Sequence, residues 1–190
     1  MCSQNLQYGR RISNVAEDWR WQVIAAYPKL FVRSYRGAPY SPGFPSCADG
    51  WRDIVIKLAQ RVSSAADDYP VHFKQIVERH GRLDVCWTAT AELPSQVEQA
   101  IEEAIELAIA RSARSCAVCG SEGYLVSCGG PLFTACSEHA KGALVPAPRG
   151  TENLHIVRTN LGKDLACRRY DWLNDSFVTI ELDALNGTNT

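Results

Sequence analysis

Four potential metal ligands in the second half of the chain constrain its fold more than any other feature. Cys116 and Cys119 form a C-x2-C pair, and Cys136 and His139 follow as a C-x2-H pair after a spacer of sixteen residues. Each pair can occupy two corners of a tetrahedron, the geometry that zinc takes with nitrogen and sulfur ligands. The spacing therefore predicts one metal site with Zn²⁺ as its ion, and free buried thiols are the alternative.

The residues around the two pairs predict the form of this site. Gly120 follows Cys119 directly and allows a sharp turn in which backbone amides point at the thiolates. Cys136 and His139 are expected on the first turn of a short helix, whose N-terminus favours a thiolate. A knuckle, a hairpin loop and a helix are the parts of a treble-clef finger. Because protein side chains can fill all four ligand positions, the zinc is predicted to be structural rather than catalytic.

The composition places the chain among ordinary globular proteins. Its 190 residues predict one domain or one domain with an appendage, and 46% apolar residues can form a core. Neither a long apolar run nor a signal segment is present, so we expect a cytoplasmic protein without a membrane span. A reducing compartment fits the eight cysteines better than a disulfide framework. The net charge of −1 argues against a protein that mainly coats nucleic acid.

Hydrophobic periodicity predicts an α+β domain over residues 1–115. A short amphipathic helix is expected over residues 14–27. A second helix begins near Asp49, whose side chain is a plausible cap. Alternating apolar residues on both sides of Gly81 predict a β-hairpin with its turn at this glycine.

The longest predicted helix starts at Pro94 and leads into the metal-ligand pairs. Ser95 and Glu98 have the spacing of a capping box at its N-terminus. Because the helix runs directly into Cys116, we expect the helix and the finger to form one rigid unit.

The finger is assigned to residues 116–145, and a short β-rich extension follows at residues 146–190. Two strands are expected in this extension, at residues 154–157 and 177–182. About forty residues do not easily hold a core alone, so the extension is expected to pack on the rest of the chain or on a partner. The predicted fold class is thus α+β: a helix and β-hairpin domain, a treble-clef-like finger and a β-rich extension.

The order of several short segments is similar to that in a known group of proteins. These segments are Tyr27 to Phe31, Gly43 and Phe44, Asp49 to Trp51, the hairpin at residues 77–83 and the finger. Together they resemble a largely uncharacterised group of small phage and prophage zinc-finger proteins, over about residues 27–142. The chain departs from that group at His80, where an aromatic residue is usual, and at Asp84, where arginine is common.

The resemblance implies phage origin and a role inside an infected or lysogenic bacterium, but it implies no reaction. Small phage proteins without an enzyme site are often inhibitors of host defence, including anti-CRISPR proteins, or transcriptional modulators. The expected function is therefore non-enzymatic binding and inhibition of a host protein complex, such as a CRISPR-Cas complex. This inference is associational, and it leaves the partner and the oligomeric state open.

Two kinds of side chain are candidates for the partner surface. An acidic face of the long helix could occupy a basic nucleic-acid channel by charge complementarity; it comprises Glu98, Glu102, Glu103 and Glu106. Trp19 and Trp172 are large aromatic residues of the kind that anchors interfaces. The simpler interpretation is that the glutamates only solvate a helix.

Two alternative functions are open from the sequence. Nucleic-acid binding would need a cluster of arginines, for which the candidates are Arg10, Arg11, Arg33, Arg36, Arg111 and Arg114. A finger-based nuclease would need a histidine base beside a second metal; His155 and Asn160 follow the finger, but no His-His or Asp-His pair accompanies them. Cys86 is expected to pack on a strand, and the sequence assigns no further role to Cys2, Cys47, Cys128 and Cys167.

Overall fold

The computed structural model describes residues 18–147, 151–159 and 164–180, in which helices and small sheets alternate. The helices are α1 (Trp19–Ala26), α2 (Pro28–Phe31), α3 (Arg52–Ala66) and α4 (Ser95–Ser112). The strands are β1 (Arg33–Tyr35), β2 (Ala38–Tyr40), β3 (Pro45–Ser46), β4 (Val71–Arg79), β5 (Arg82–Ala89), β6 (Tyr124–Ser127), β7 (Leu132–Ala135), β8 (Ala143–Leu144), β9 (Leu154–Thr159), β10 (Asp164–Asp171) and β11 (Ser176–Thr179). The α+β fold class is confirmed.

The hairpin of β4 and β5 carries the main core. Its turn consists of His80 and Gly81, both with positive φ, as a tight two-residue hairpin turn requires. The predicted hairpin and its turn are therefore confirmed. Strand β3 adds to β4 in parallel, which gives a three-stranded sheet in the order β3-β4-β5.

Helices α3 and α4 pack against each other, and α4 also contacts β5. The buried side of α3 has the i, i+3, i+4 spacing that the sequence predicts. The core that results is formed by Ile54, Val55, Leu58, Val62, Val71, Phe73, Ile76, Ile101, Ala104 and Ile105. Trp51, at the start of α3, is completely buried.

The start of α3 differs from the prediction in the role of Asp49. This residue opens a 3-10 turn (Asp49–Trp51), and its side chain caps no helix. Instead it accepts hydrogen bonds from Trp19 Nε1 at 3.0 Å and Arg20 Nη2 at 2.8 Å. Asp49 thus joins α1 to α3. Helix α1 itself begins at Trp19, and residues 14–17 of the predicted helix lie outside the described residues.

The predicted capping box at the start of α4 is wrong. Pro94 is the residue before the helix, and Ser95 already belongs to it, so the serine is one position too late to cap. Among the described residues, no helix is both long and apolar enough to cross a membrane.

The extension forms an antiparallel sheet in the order β11-β10-β9. Its middle strand β10 has no counterpart in the prediction, which placed strands only near β9 and β11. Tyr170 of β10 is buried against Leu107 and Ala110 of α4, with Trp172 and Phe177 beside it. The sheet therefore covers one side of the C-terminal half of α4.

A half-buried carboxylate also ties this sheet to α3. Asp175 pairs with Lys57 at 3.2 Å and with Arg61 at 3.0 Å, and it accepts a hydrogen bond from the Tyr170 hydroxyl at 2.7 Å. Burial alone would raise the pKa of Asp175, but these hydrogen bonds and charges hold it below its ordinary value. Arg111 of α4 lies over the Trp172 ring, with 3.4 Å between Cζ and the ring centroid.

Candidate metal centre

The first ligand pair lies on a knuckle that follows α4. The N–H of Cys116 donates to the Ser121 carbonyl at 2.7 Å, and the N–H of Gly120 donates to the Cys116 carbonyl at 2.9 Å. Gly120 has a φ of 77°, which side chains other than glycine rarely adopt. The knuckle predicted from Gly120 is therefore present.

The second ligand pair lies on a single turn and not on a helix. Cys136 follows β7 directly, and its carbonyl accepts from the N–H groups of His139 at 3.1 Å and Ala140 at 2.9 Å. The chain then enters β8 within a few residues, where it pairs with β6. This pairing ends the turn before a helix can form, so the predicted short helix is wrong.

The four predicted ligands meet in space. Their donor atoms all lie within 4.8 Å of one another. Cys119 Sγ is 3.7 Å from Cys136 Sγ, and His139 Nδ1 is 3.1 Å from Cys136 Sγ and 3.7 Å from Cys116 Sγ. Metal–ligand bonds of about 2.3 Å to sulfur and about 2.0 Å to nitrogen give tetrahedral edges of about 3.5–3.8 Å. Two of these three separations match such an edge and one is shorter, so the four residues form a possible metal site that is compatible with zinc.

Hydrogen bonding and burial shift the pKa values of two of the thiols in opposite directions. Ser121 donates from its side chain and backbone toward Cys119 and lowers the pKa of that thiol to about 6. Burial raises the pKa of Cys136, against the N–H groups of His139 and Glu138. Thiolate is the form that binds metal, so of these two thiols Cys119 is closer to its metal-binding form.

The knuckle packs closely on the start of α3 through two glycines. The N–H of Gly50 donates to the Ala117 carbonyl at 3.0 Å. A Cβ on Gly50 would lie 2.4 Å from the Cys116 carbonyl oxygen, and a Cβ on Gly120 would lie 2.7 Å from the Gly50 oxygen. Beside them, buried Trp51 donates from Nε1 to the Ser115 carbonyl at 2.9 Å. The segment from Asp49 to Trp51 thus forms the surface on which the knuckle packs. Nothing in the sequence indicates this role.

The hairpin turn packs on the other side of the finger. The hydroxyl of Thr134, in β7, donates to the Gly81 carbonyl at 2.6 Å. The Thr134 carbonyl accepts from the N–H of Ala117 in the knuckle at 2.8 Å. The finger is therefore held by α3, by the hairpin and by the end of α4, and the ligand cluster lies where these elements meet.

The acidic residues proposed for partner binding are not all free. Glu102 accepts from Trp87 Nε1 at 2.8 Å, and Glu103 pairs with Arg168 of β10 at 2.6 Å. Glu106 is half-buried, and burial raises its pKa. Only Glu98 is exposed without such a contact among the described residues.

The two proposed tryptophans are both engaged within the chain. Trp19 is buried, and its indole is bonded to Asp49. Trp172 packs under Arg111, as described above. Trp21, which packs on Phe44 at a centroid distance of 5.2 Å, is the more exposed tryptophan of α1.

The remaining cysteines that the structure describes lie outside the metal cluster, and Cys2 is not among the described residues. Cys47 is fully buried, and burial raises the pKa of its thiol to about 12. Cys86 is exposed, so its predicted role in packing is wrong. Its neighbours Val85 and Trp87 face the core from β5, which turns Cys86 to the opposite side of the strand. Cys167 is buried, and Cys128 is engaged in another interaction.

The arginines predicted to cluster for nucleic-acid binding are partly used within the fold. Arg111 contacts Trp172 and Tyr170, and Arg114 pairs with Glu122 and lies over the ring of Tyr124. Arg10, Arg11 and Asn160 lie outside the described residues.

Neither a protein-family model, nor a curated protein, nor a solved structure matches the chain.

Proposed function

We propose that the protein is a non-enzymatic zinc-binding protein that binds and inhibits a host protein complex. Cys116, Cys119, Cys136 and His139 hold one structural Zn²⁺, in a treble-clef-like finger whose second pair lies on a turn. A role against a bacterial defence complex in the cytoplasm is supported by the phage-protein resemblance alone.

The observation that carries the proposal is an exposed apolar surface on the finger. Phe133 and Leu144 lie directly opposite Val126 in the strand register, and Tyr124 lies two residues before it. All three side chains are therefore on the same face of the sheet β7-β6-β8. Tyr124 is 50% exposed and Leu144 is 59% exposed. Phe133 is half-buried and packs on the buried cluster of Cys116, Val126 and Cys136, so we call only Tyr124 and Leu144 the finger face.

The finger face has the composition of a protein-binding surface. Tyrosine and arginine are enriched at interfaces, and the Arg114 guanidinium lies 4.4 Å from the Tyr124 ring centroid. Arg114 also pairs with Glu122, so charged side chains lie at the edge of the surface beside Tyr124. The acidic face of α4 fits a partner less well, since Glu102 and Glu103 already serve contacts within the chain.

A closed metal site supports a structural role for the ion. Four protein donors fill the tetrahedron, and a catalytic zinc would need one position for water. Metal analysis of protein purified without added zinc is the first test. We expect about one zinc per chain, and protein that is folded yet free of metal would refute the assignment.

The partner is tested by capture from bacterial lysate with and without nuclease. We expect a defined set of proteins that survives nuclease treatment and is lost in the double variant Tyr124→Thr, Leu144→Thr. The matched control is Val178→Thr, because Val178 is a strand residue of the extension that is 54% exposed. Capture that is lost on nuclease treatment would indicate nucleic-acid binding instead, and equal capture by both variants would exclude the finger face.

A further inference from the structure

A cleft away from the metal cluster is formed by three separate parts of the chain. The hairpin turn supplies Arg79, His80, Arg82, Leu83 and Asp84, α4 supplies Glu106 and Ile109, and β9 supplies Leu154 and His155. Its volume is about 550 Å³, which lies within the range of small-molecule sites.

His155 is held in this cleft by aromatic neighbours. Its ring centroid lies 6.4 Å from that of Tyr170 and 5.6 Å from that of Phe177. Within the described part of the chain, its ring nitrogens have no hydrogen-bond partner. Burial, and then the charge of Arg82, lower its pKa to about 4. At neutral pH the imidazole is therefore uncharged, and it has one donor and one acceptor to offer a ligand.

Arg82 and Glu106 leave one unmatched charge of each sign in the cleft. Arg79 is paired with Asp84 at 3.2 Å, so these two charges compensate each other. Arg82 forms no ion pair with another described residue, although it lies close enough to influence the pKa of Glu106. Burial and the neighbouring Glu102 raise the pKa of Glu106, so this carboxyl gains from a hydrogen-bond donor opposite it.

We propose that this cleft binds a small organic acid that carries a hydrogen-bond donor, with its acid group on Arg82 and His155 and its donor on Glu106. The ligand's apolar body packs on Leu83, Ile109 and Leu154. Hydroxy acids and amino acids share this chemistry. The proposal concerns a function beyond partner binding, and it is tested on the purified protein alone.

The test uses ligands with one common phenyl body. Phenyllactate offers an acid and a hydroxyl, phenylalanine an acid and an ammonium, hydrocinnamate an acid only, and phenylalaninamide a donor without an acid. Binding is followed by the imidazole NMR signals of His155, with those of His72 as an internal reference outside the cleft. We expect saturable shifts of the His155 signals by phenyllactate or phenylalanine, at least about tenfold tighter than phenylalaninamide, because a charged hydrogen bond is lost. Whichever of phenyllactate and phenylalanine binds more tightly identifies the ligand's hydrogen-bond donor as a hydroxyl or an ammonium group.

Variants assign the contacts, with calorimetry as the readout. Arg82→Gln is expected to weaken binding by about tenfold or more. The variant His155→Phe should also weaken binding, although its phenyl ring keeps the contacts to Tyr170 and Phe177. Arg52→Gln is the matched control, because Arg52 is an exposed arginine at the start of α3. The proposal is overturned if no ligand binds saturably, if phenylalaninamide binds as tightly as the acids, or if Arg52→Gln weakens binding as much as Arg82→Gln.

Discussion

Gly50→Ala tests whether the contact between α3 and the knuckle stabilises the metal site. The added Cβ would lie 2.4 Å from the Cys116 oxygen, 2.7 Å from the Ala117 oxygen and 2.7 Å from the Gly120 nitrogen. All three are backbone atoms, so no side-chain rotation relieves the overlap. The knuckle must instead move away from α3.

The size of the effect follows from what this movement disrupts. Overpacking of a closely packed site costs about 1–3 kcal/mol. The hydrogen bonds from Gly50 N–H and Trp51 Nε1 would also lengthen, at about 1 kcal/mol each. Gly50 has no positive φ, so without these neighbours alanine would stabilise the protein by about 0.4–1 kcal/mol through the unfolded chain. We therefore expect a net loss of about 2–4 kcal/mol.

The assay has two parts, urea denaturation with zinc in excess and chelator competition for zinc affinity. We expect both stability and affinity to fall in Gly50→Ala. Gly37→Ala is the control: Gly37 has a φ of +80° but no atom near its Cβ position, so it reports backbone strain alone, about 1–2 kcal/mol. Unchanged or raised stability in Gly50→Ala would refute the proposed role of this contact.

Two further predictions concern the ligands and the extension. Cys119→Ser is expected to abolish zinc retention and to expose the end of α4 to hydrogen exchange, whereas Cys86→Ser should retain the metal, as metal analysis and exchange can show. The contribution of Asp175 is complete above its ordinary pKa of 3.8 and is lost as the pH falls through its lower folded pKa. Acidification should therefore shift the indole signal of Trp172, and Asp175→Asn should shift it already at neutral pH; an unchanged signal in that variant would contradict the role of the carboxylate.

The sequence was informative where one local pattern determined the structure. The apolar stripe of α3, the turn at Gly81 and the ligand spacing of the finger each depend on residues that are close in the chain, and each was predicted. The predicted cap at Asp49 was wrong, because a carboxylate can bond a helix end or a distant indole equally well, and the choice depends on where α1 lies. Strand β10 is not predicted, because charged residues such as Arg168 and Arg169 interrupt the alternation of apolar and polar residues.

Contacts between distant segments could not be predicted from the sequence for the same reason. Nothing in the sequence around Gly50 indicates that Gly120 lies opposite it. The acidic pattern of α4 likewise could not show that Glu103 meets Arg168 or that Trp87 reaches Glu102. The cleft at His155 likewise depends on the approach of three distant segments.

The close approach of Gly50 to the knuckle also has a kinetic consequence. If the four donors hold an ion, opening of the knuckle would break its hydrogen bonds to Gly50 and Trp51, just before α3. Opening it would uncover Trp51, which is completely buried in the core. Release of such an ion by this route should therefore be slow, whereas a chelator can still reach the exposed Cys119 directly.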